Sequence, residues 1–228
     1  MIIREERIGG QRLILGDCLK VMSELPRFDM LLTDPPYGID YGSMIEGTQE
    51  RFGWKKFKKQ EWDTDRPSAE TFVAMLKASK EQIIWGGNYF ADLLPPSMRW
   101  LAWDKGQRDF SLADMELAWT SQQKAVRVFT YARAKALLDG KQHPTQKPVA
   151  LMEWCLSFAP KAVTVLDCFM GSGTTLVACQ RLGRNGTGIE LDPDYFDIAC
   201  RRVDEATRQP DLLIPQPKPQ AVQEGFDL

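Results

Sequence analysis

The sequence predicts an α/β domain built on a mostly parallel sheet. Apolar runs of strand length alternate with amphipathic runs of helix length along most of the chain, which favours parallel strands with helices on both faces. Two of the strand-like runs end in loops that carry chemistry: Asp34-Pro35-Pro36-Tyr37 after residues 28–33, and Gly171-Ser172-Gly173-Thr174-Thr175 after residues 162–166. Ligands of such sheets bind beyond the carboxyl ends of the strands. If these two strands are neighbours, both loops face one crevice.

Taken in order, residues 12–16 read as a strand, and Asp17 stands where an N-cap belongs, ahead of an amphipathic segment over 19–25. The strand over 28–33 stops at the proline pair. Residues 38–66 show no clean period and read as a long surface loop, a candidate for a small target-recognition insert. Pro67-Ser68 opens a helix carrying Phe72, Val73, Met75 and Leu76, and a strand over 81–85 is closed by Gly86-Gly87-Asn88. Asn88-Tyr89-Phe90 either borders a ligand pocket or packs a helix start. Residues 99–103, 115–120 and 125–131 read as strands on one side of the sheet. They place Trp85, Trp100, Trp103 and Trp119 in the core, whereas Pro95-Pro96 reads as a plain loop. Pro148 suits the first turn of a helix through Leu151, Cys155 and Phe158. The strand over 162–166 leads into the glycine loop and a helix over 174–182. A strand over 185–189 then ends at Glu190, and a helix over 193–208 follows. One domain over 1–208 is expected, with a flexible tail over 209–228 that carries Pro210, Pro215, Pro217 and Pro219.

The chain has 228 residues, 43% hydrophobic and 26% charged, enough for one domain with a sizeable core. No apolar run is long enough to span a bilayer, and the first residues lack the apolar segment of a signal peptide, so a cytoplasmic location is expected. Cys18, Cys155, Cys168, Cys179 and Cys200 form no C-x-x-C pair and His143 is the lone histidine, which argues against a metal site and for reduced core cysteines. The net charge of −2 argues mildly against nucleic acid. The charge is uneven, however: Arg51, Lys55, Lys56, Lys58 and Lys59 crowd one stretch with Phe52, Trp54 and Phe57, and a local patch of this kind can grip phosphates while an aromatic ring stacks.

The glycine loop is neither a Walker A loop nor G-x-G-x-x-G, which disfavours a nucleoside triphosphate. Glu190 can accept both hydroxyls of a ribose, and Asp167 can meet an amino group, so an adenosine bearing an amino acid suits the pair. In the first loop, two prolines fix φ and donate nothing. Asp34 and the Pro35 carbonyl can accept the two N–H groups of an amine on an aromatic ring, which localises its lone pair. Pro36 stiffens the turn, and Tyr37 offers a ring to a base that has left its stack.

These residues resemble the beta-class DNA amino-methyltransferases, acting on adenine N6 or cytosine N4, in which the Asp-Pro-Pro-Tyr motif precedes the cofactor loop. Ile14-Leu15-Gly16-Asp17, His143-Pro144-Thr145-Gln146-Lys147-Pro148 and Gly188-Ile189-Glu190-Leu191-Asp192 with Tyr195 and Arg201 resemble further motifs of that family. The resemblance runs from about Leu13 to Val203. It implies a Rossmann-like S-adenosylmethionine-dependent methyltransferase fold with a mostly parallel seven-stranded sheet in circularly permuted motif order. It implies S-adenosylmethionine as cofactor, held by Asp17, Asp167, Phe169, Gly171, Ser172, Gly173, Thr174 and Glu190, with Thr145 and Lys147 facing its carboxylate. The short recognition region fits a solitary or phage-type enzyme.

The reading is methyl transfer to the N6 amine of adenine in double-stranded DNA, with catalytic residues Asp34, Pro35, Pro36 and Tyr37. Cytosine N4 is the nearest alternative. A non-catalytic module that binds DNA or cofactor, and RNA as substrate, are further ones. The absence of a Cys after the proline pair argues against C5-type covalent chemistry. Monomer and homodimer both remain open.

Overall fold

The computed structural model describes residues 1–39, 65–108, 113–132 and 146–208. Its elements run β1 (Ile2–Ile8), β2 (Gln11–Gly16), α1 (Cys18–Met22), β3 (Phe28–Thr33), α2 (Ala69–Ala78), β4 (Ser79–Trp85), a 3-10 turn (Gly87–Tyr89), β5 (Trp100–Asp104), β6 (Met115–Thr120), β7 (Arg127–Thr130), α3 (Val149–Ser157), β8 (Thr164–Asp167), α4 (Thr174–Arg181), β9 (Asn185–Glu190) and α5 (Pro193–Arg208). The strands form one nine-stranded sheet in the order β1-β2-β9-β8-β3-β4-β6-β5-β7.

Among the described residues the sheet has nine strands where seven are expected; it is mostly parallel, with β1 and β6 reversed. β1 runs antiparallel to β2, and β6 runs antiparallel to both β4 and β5. β1 escapes a sequence reading because Arg4-Glu5-Glu6-Arg7 interrupts any apolar alternation. It forms because β2 offers an open edge. Arg12 of β2 pairs with Glu5 at 2.8 Å, and Arg4 reaches Asp197 of α5 at 2.8 Å. A charged outer strand of this kind also discourages sheet-to-sheet association.

The central strands are apolar on both faces, as parallel strands under two helical layers must be. Leu31 and Leu166 face α1 and α2 with Val21, Phe72 and Met75. Met30, Leu32 and Val165 face α3 with Leu151 and Cys155. Leu13 and Leu15 meet α4 and α5 through Leu176, Phe196 and Ala199. Burying each such side chain contributes about 1.5–3 kcal/mol. Trp85, Trp103 and Trp119 are buried and Trp100 is partly buried, in keeping with the core reading.

The site follows from one pairing. β3 lies beside β8 in parallel, with Met30 opposite Val165 and Leu31 opposite Leu166. The two loops that leave these strands therefore emerge on the same edge. β9 flanks β8 on the other side and places Gly188 opposite Asp167, while Leu15 of β2 lies opposite Glu190. Gly38 and Arg66 lie against each other, since a Cβ on Gly38 would stand 2.8 Å from Arg66 Cγ. The described residues that flank 40–64 thus lie together beside β3. Among the described residues, no helix is long and apolar enough to cross a membrane.

Candidate active site

Beyond the carboxyl ends of β2, β3, β8 and β9 lies a cavity of about 260 Å3 whose wall includes Asp17, Asp34, Lys147, Asp167, Gly171 and Glu190. Phe169, Ser172 and Thr174 complete the glycine-loop side. Asp17 keeps a second role as N-cap of α1, accepting from the Lys20 amide at 3.0 Å. Gly173 does not line the cavity but shapes it: its φ is +78°, and a Cβ there would stand 2.9 Å from Ala199 Cβ. Only glycine combines that backbone with that approach.

Two carboxylates dominate the cavity, Asp167 buried and Glu190 partly buried. One Asp167 oxygen accepts the Thr33 hydroxyl at 2.8 Å and the Phe169 amide at 3.2 Å. Glu190 accepts the Gly171 amide at 2.8 Å and the Leu191 and Asp192 amides at 2.9 Å, which clamps the glycine loop to the end of β9. Neither carboxylate has an ion-pair partner among the described residues. Burial pushes Asp167 up to about 6 and Glu190 up to about 7, against the pull of these donors. Carboxylates held this way, without a counter-ion, suit a ligand that brings hydroxyls and a positive charge.

Asp34 and Pro36 line the same cavity from the β3 side. The Tyr37 hydroxyl donates to Asp34 Oδ1 at 2.6 Å, and the Lys147 ammonium donates to Asp34 Oδ2 at 2.6 Å and to the Tyr37 oxygen at 3.1 Å. Burial raises the Asp34 carboxyl, Lys147 pulls it back, and Glu116 pushes it up again. Burial also raises the Tyr37 hydroxyl well above its usual range, so it stays protonated and remains a donor. The Tyr37 ring stacks on Tyr89 at 4.7 Å and 14°, and it lies so close to Gly86 that a Cβ there would overlap it. One face of Tyr37 is therefore already covered, and Tyr89 forms the partly exposed outer ring of the stack. Asn88-Tyr89-Phe90 divides its work: Tyr89 faces the loop, and Phe90 is fully buried.

The N6_N4_Mtase family model, a DNA methylase, matches residues 103–201. The Type II methyltransferase M.HpaI of Haemophilus parainfluenzae is 29% identical over 243 residues, covering 85% of this chain and 74% of that protein. The chain is similar to the N6/N4 DNA methylases. Among solved structures, the M1.HpyAVI–SAM complex is similar with a TM-score of 0.56 at 22% identity, over 85% of this chain and 99% of the other. The cytosine-N4-specific PvuII DNA methyltransferase is similar with a TM-score of 0.57 at 14% identity, over 91% and 94%. These likenesses agree with the fold described above.

In this chain three residues carry more of the site than the motifs indicate. Lys147 lies at the cavity wall, yet its ammonium is already held by Asp34 and by Glu116 at 2.9 Å, so its bonds run to the Asp34–Tyr37 loop and to β6. Glu116 was not singled out by sequence; the visible signal is one acid inside the apolar run Met115-Glu116-Leu117-Ala118-Trp119. On α5, the neighbour of Arg201 faces the loop: Arg202 donates to the Ser172 carbonyl, Ser172 Oγ and Thr174 Oγ1 at 2.5, 2.9 and 3.1 Å, while Arg201 is exposed. Tyr195, Ala199 and Arg202 share the spacing of one helix face, a pattern legible beforehand. Burial lowers the Arg202 guanidinium to about 10, and it remains charged. Thr145 and the cationic stretch of Arg51, Lys55, Lys56, Lys58 and Lys59 lie outside the described residues.

Proposed function

We propose that this chain is a site-specific DNA methyltransferase that transfers a methyl group from S-adenosylmethionine to the N6 amine of adenine. The observation that carries the reading is that Asp34 and Gly171, on loops remote in sequence, line one cavity, with Thr33 and Asp167 hydrogen-bonded across a separation of 134 residues.

The cavity chemistry fits the cofactor. Glu190 is placed to accept ribose hydroxyls, Asp167 supplies an uncompensated negative charge, and Phe169 and Ile189 add apolar wall. When bound, S-adenosylmethionine supplies an electrophilic methyl group on a positively charged sulfur. The protein has to present a nucleophile to it and exclude water.

Asp34 and the Pro35 carbonyl accept the two amine N–H groups, which draws the nitrogen lone pair out of conjugation with the base. The proline pair holds these acceptors in place with no rotation of φ. Asp34 acts as an anion that stabilises the charge gained by nitrogen. As a carboxylate it is too weak a base to strip the neutral amine beforehand, so the proton leaves after transfer. The target base must be flipped from the duplex to reach this depth. Tyr37 and Tyr89 offer aromatic surface for it, with Tyr37 fixed by its bond to Asp34. Residues 38–66, rooted beside this loop, are assigned to DNA contact through Arg51, Lys55, Lys56, Lys58 and Lys59.

Cytosine N4 is the second reading. The same pair of acceptors suits its amine, and the similar PvuII enzyme is cytosine-N4-specific. Incubation of unmethylated bacterial genomic DNA with the protein and methyl-labelled S-adenosylmethionine, followed by nucleoside mass spectrometry, tests both. N6-methyladenine is the expected product. N4-methylcytosine alone transfers the assignment to the second reading, and no label in DNA from a cofactor-binding protein removes the enzymatic one. Asp34→Ala should abolish turnover with cofactor affinity retained.

A further inference from the structure

The amine-binding loop is backed by a row of alternating charges, half of it supplied by elements that the motifs do not include. Lys147 is 5% exposed and sits between Asp34 at 2.6 Å and Glu116 at 2.9 Å, and Glu116 also meets Lys105 at 2.7 Å. The order is Asp34, Lys147, Glu116, Lys105: anion, cation, anion, cation. Aromatic faces fence it, with Lys147 5.5 Å from the Trp85 ring and 5.7 Å from the Tyr37 ring, and Lys105 5.3 Å from Trp103. Glu116 reaches this place because β6 runs antiparallel to β5, which sets it opposite Trp103 just before Lys105.

A buried ammonium beside Asp34 has two opposite effects. It keeps Asp34 ionised and fixes its orientation, which favours binding of the amine. It also places a positive charge near a nitrogen that becomes positive as it gains a fourth bond, which opposes transfer. A second carboxylate on the far side of the ammonium removes much of the second effect and leaves the first in place.

We propose that Glu116 is a positioning residue for amine methylation: bridging Lys147 to Lys105, it holds the Lys147 ammonium against Asp34 and offsets that ammonium's charge at the reacting nitrogen. The inference rests on the reading that Asp34 receives the amine. Electrostatics agree with the geometry. Burial pushes Glu116 up, but its two lysines outweigh burial and hold it at about 2, so it is an anion at any working pH. Lys147 is raised by its two carboxylates in spite of burial. The groups facing Asp34 are Tyr37 on its own loop, Lys147 before α3, Glu116 on β6 with Lys105 behind it, and Asp167 on β8.

The test is the pH dependence of kcat with the full chain, unmethylated bacterial genomic DNA and labelled S-adenosylmethionine. Glu116→Gln keeps an acceptor for Lys147 but removes an anion. It should lower kcat by about tenfold or more, leave cofactor affinity within about twofold, and move the acid limb of the profile to lower pH, because Asp34 loses a neighbour that raises it. Glu116→Asp should recover most of the rate. Lys105→Met removes the outer cation and should move the acid limb the other way. A purely structural role lowers rate without displacing the limb in opposite directions. Profiles for Glu116→Gln and Lys105→Met that superimpose on the unsubstituted protein, or move together, overturn the proposal. Should Glu116→Gln fail to fold, the Lys105→Met arm decides alone. If Asp34→Ala is inactive while Glu116→Gln is indistinguishable from the unsubstituted protein, the amine-binding reading stands and Glu116 drops out of it. Full activity in Asp34→Ala overturns both.

Discussion

The Thr33 hydroxyl donates to the Asp167 carboxylate at 2.8 Å, inside the protein, at the last residues of two neighbouring strands. This bond joins the two halves of the site. The backbone beyond Thr33 becomes the Asp34–Tyr37 loop, and the backbone beyond Asp167 becomes the glycine loop. Asp167 also accepts the Phe169 amide, so the carboxylate fixes the start of its own loop as well.

Thr33→Val removes a donor from a buried carboxylate while keeping the shape of the side chain. Asp167 then rises above its present value of about 6, since burial loses one of its counterweights. Cofactor affinity measured by calorimetry should fall by about tenfold near neutral pH, as expected for a hydrogen bond to a charged group. The deficit should shrink at higher pH, where Asp167 is ionised in both proteins. An equal deficit at all pH values would mean the hydroxyl acts only through packing.

Asp167 and Glu190 titrate at about 6 and about 7, above the ordinary 3.8 and 4.5. The native ligand-free protein therefore binds more protons than the unfolded chain between roughly pH 4 and 7, and this contribution to stability declines as pH rises through that window. A cofactor that presents hydroxyls and a positive charge favours the ionised carboxylates. The rise in Tm on adding S-adenosylmethionine should accordingly grow from pH 5 to pH 8 in scanning fluorimetry. A constant or falling increment would detach these carboxylates from cofactor binding.

Much of this arrangement is legible in the sequence, and the parts that are not share a cause. β3, β8, β9 and the helices after them are local: each combines an apolar run, a turn or cap residue and a periodic helix; Asp17 caps where expected, and the helix that Pro67-Ser68 is read to open is capped by Ser68. Asp34, Asp167, Gly171 and Glu190 stand at strand ends and follow from those elements. β1 is not legible because the strand it pairs with, β2, and the partners of its charges, Arg12 and Asp197, all lie outside its own window. Glu116 and the destination of Lys147 are hidden for the same reason, since three strands and a loop must assemble before the two meet. The motif containing Lys147 points to the cavity, and only the fold shows its bonds going to Asp34.

Gly86 makes a similar non-local contribution. Its φ is +71°, and the Tyr37 ring lies against its Cα, so a side chain there overlaps the ring. Gly86→Ala should push Tyr37 off Asp34 and off Tyr89. The expected outcome is loss of most turnover with cofactor affinity nearly intact, because Tyr37 does not line the cofactor cavity. Parallel loss of both would indicate collapse of β4.

Arg202 and Gly173 provide the matching experiment on the cofactor side. Arg202 binds three oxygens of Ser172 and Thr174 through one nitrogen, and Ala199, one turn earlier on α5, leaves room at Gly173 for glycine alone. Arg202→Ala strips the carbonyl and hydroxyls of a donor and frees the loop that Glu190 clamps at Gly171. It should weaken S-adenosylmethionine binding about tenfold or more, with kcat at saturating cofactor changed far less. Gly173→Ala meets both the backbone penalty of a left-handed residue, about 1–2 kcal/mol, and the contact with Ala199. Adding Ala199→Gly should restore the contact share and leave the backbone share, so the double variant should bind cofactor better than Gly173→Ala and worse than the unsubstituted protein. Absence of any rescue would show that the φ angle alone sets the requirement at this position.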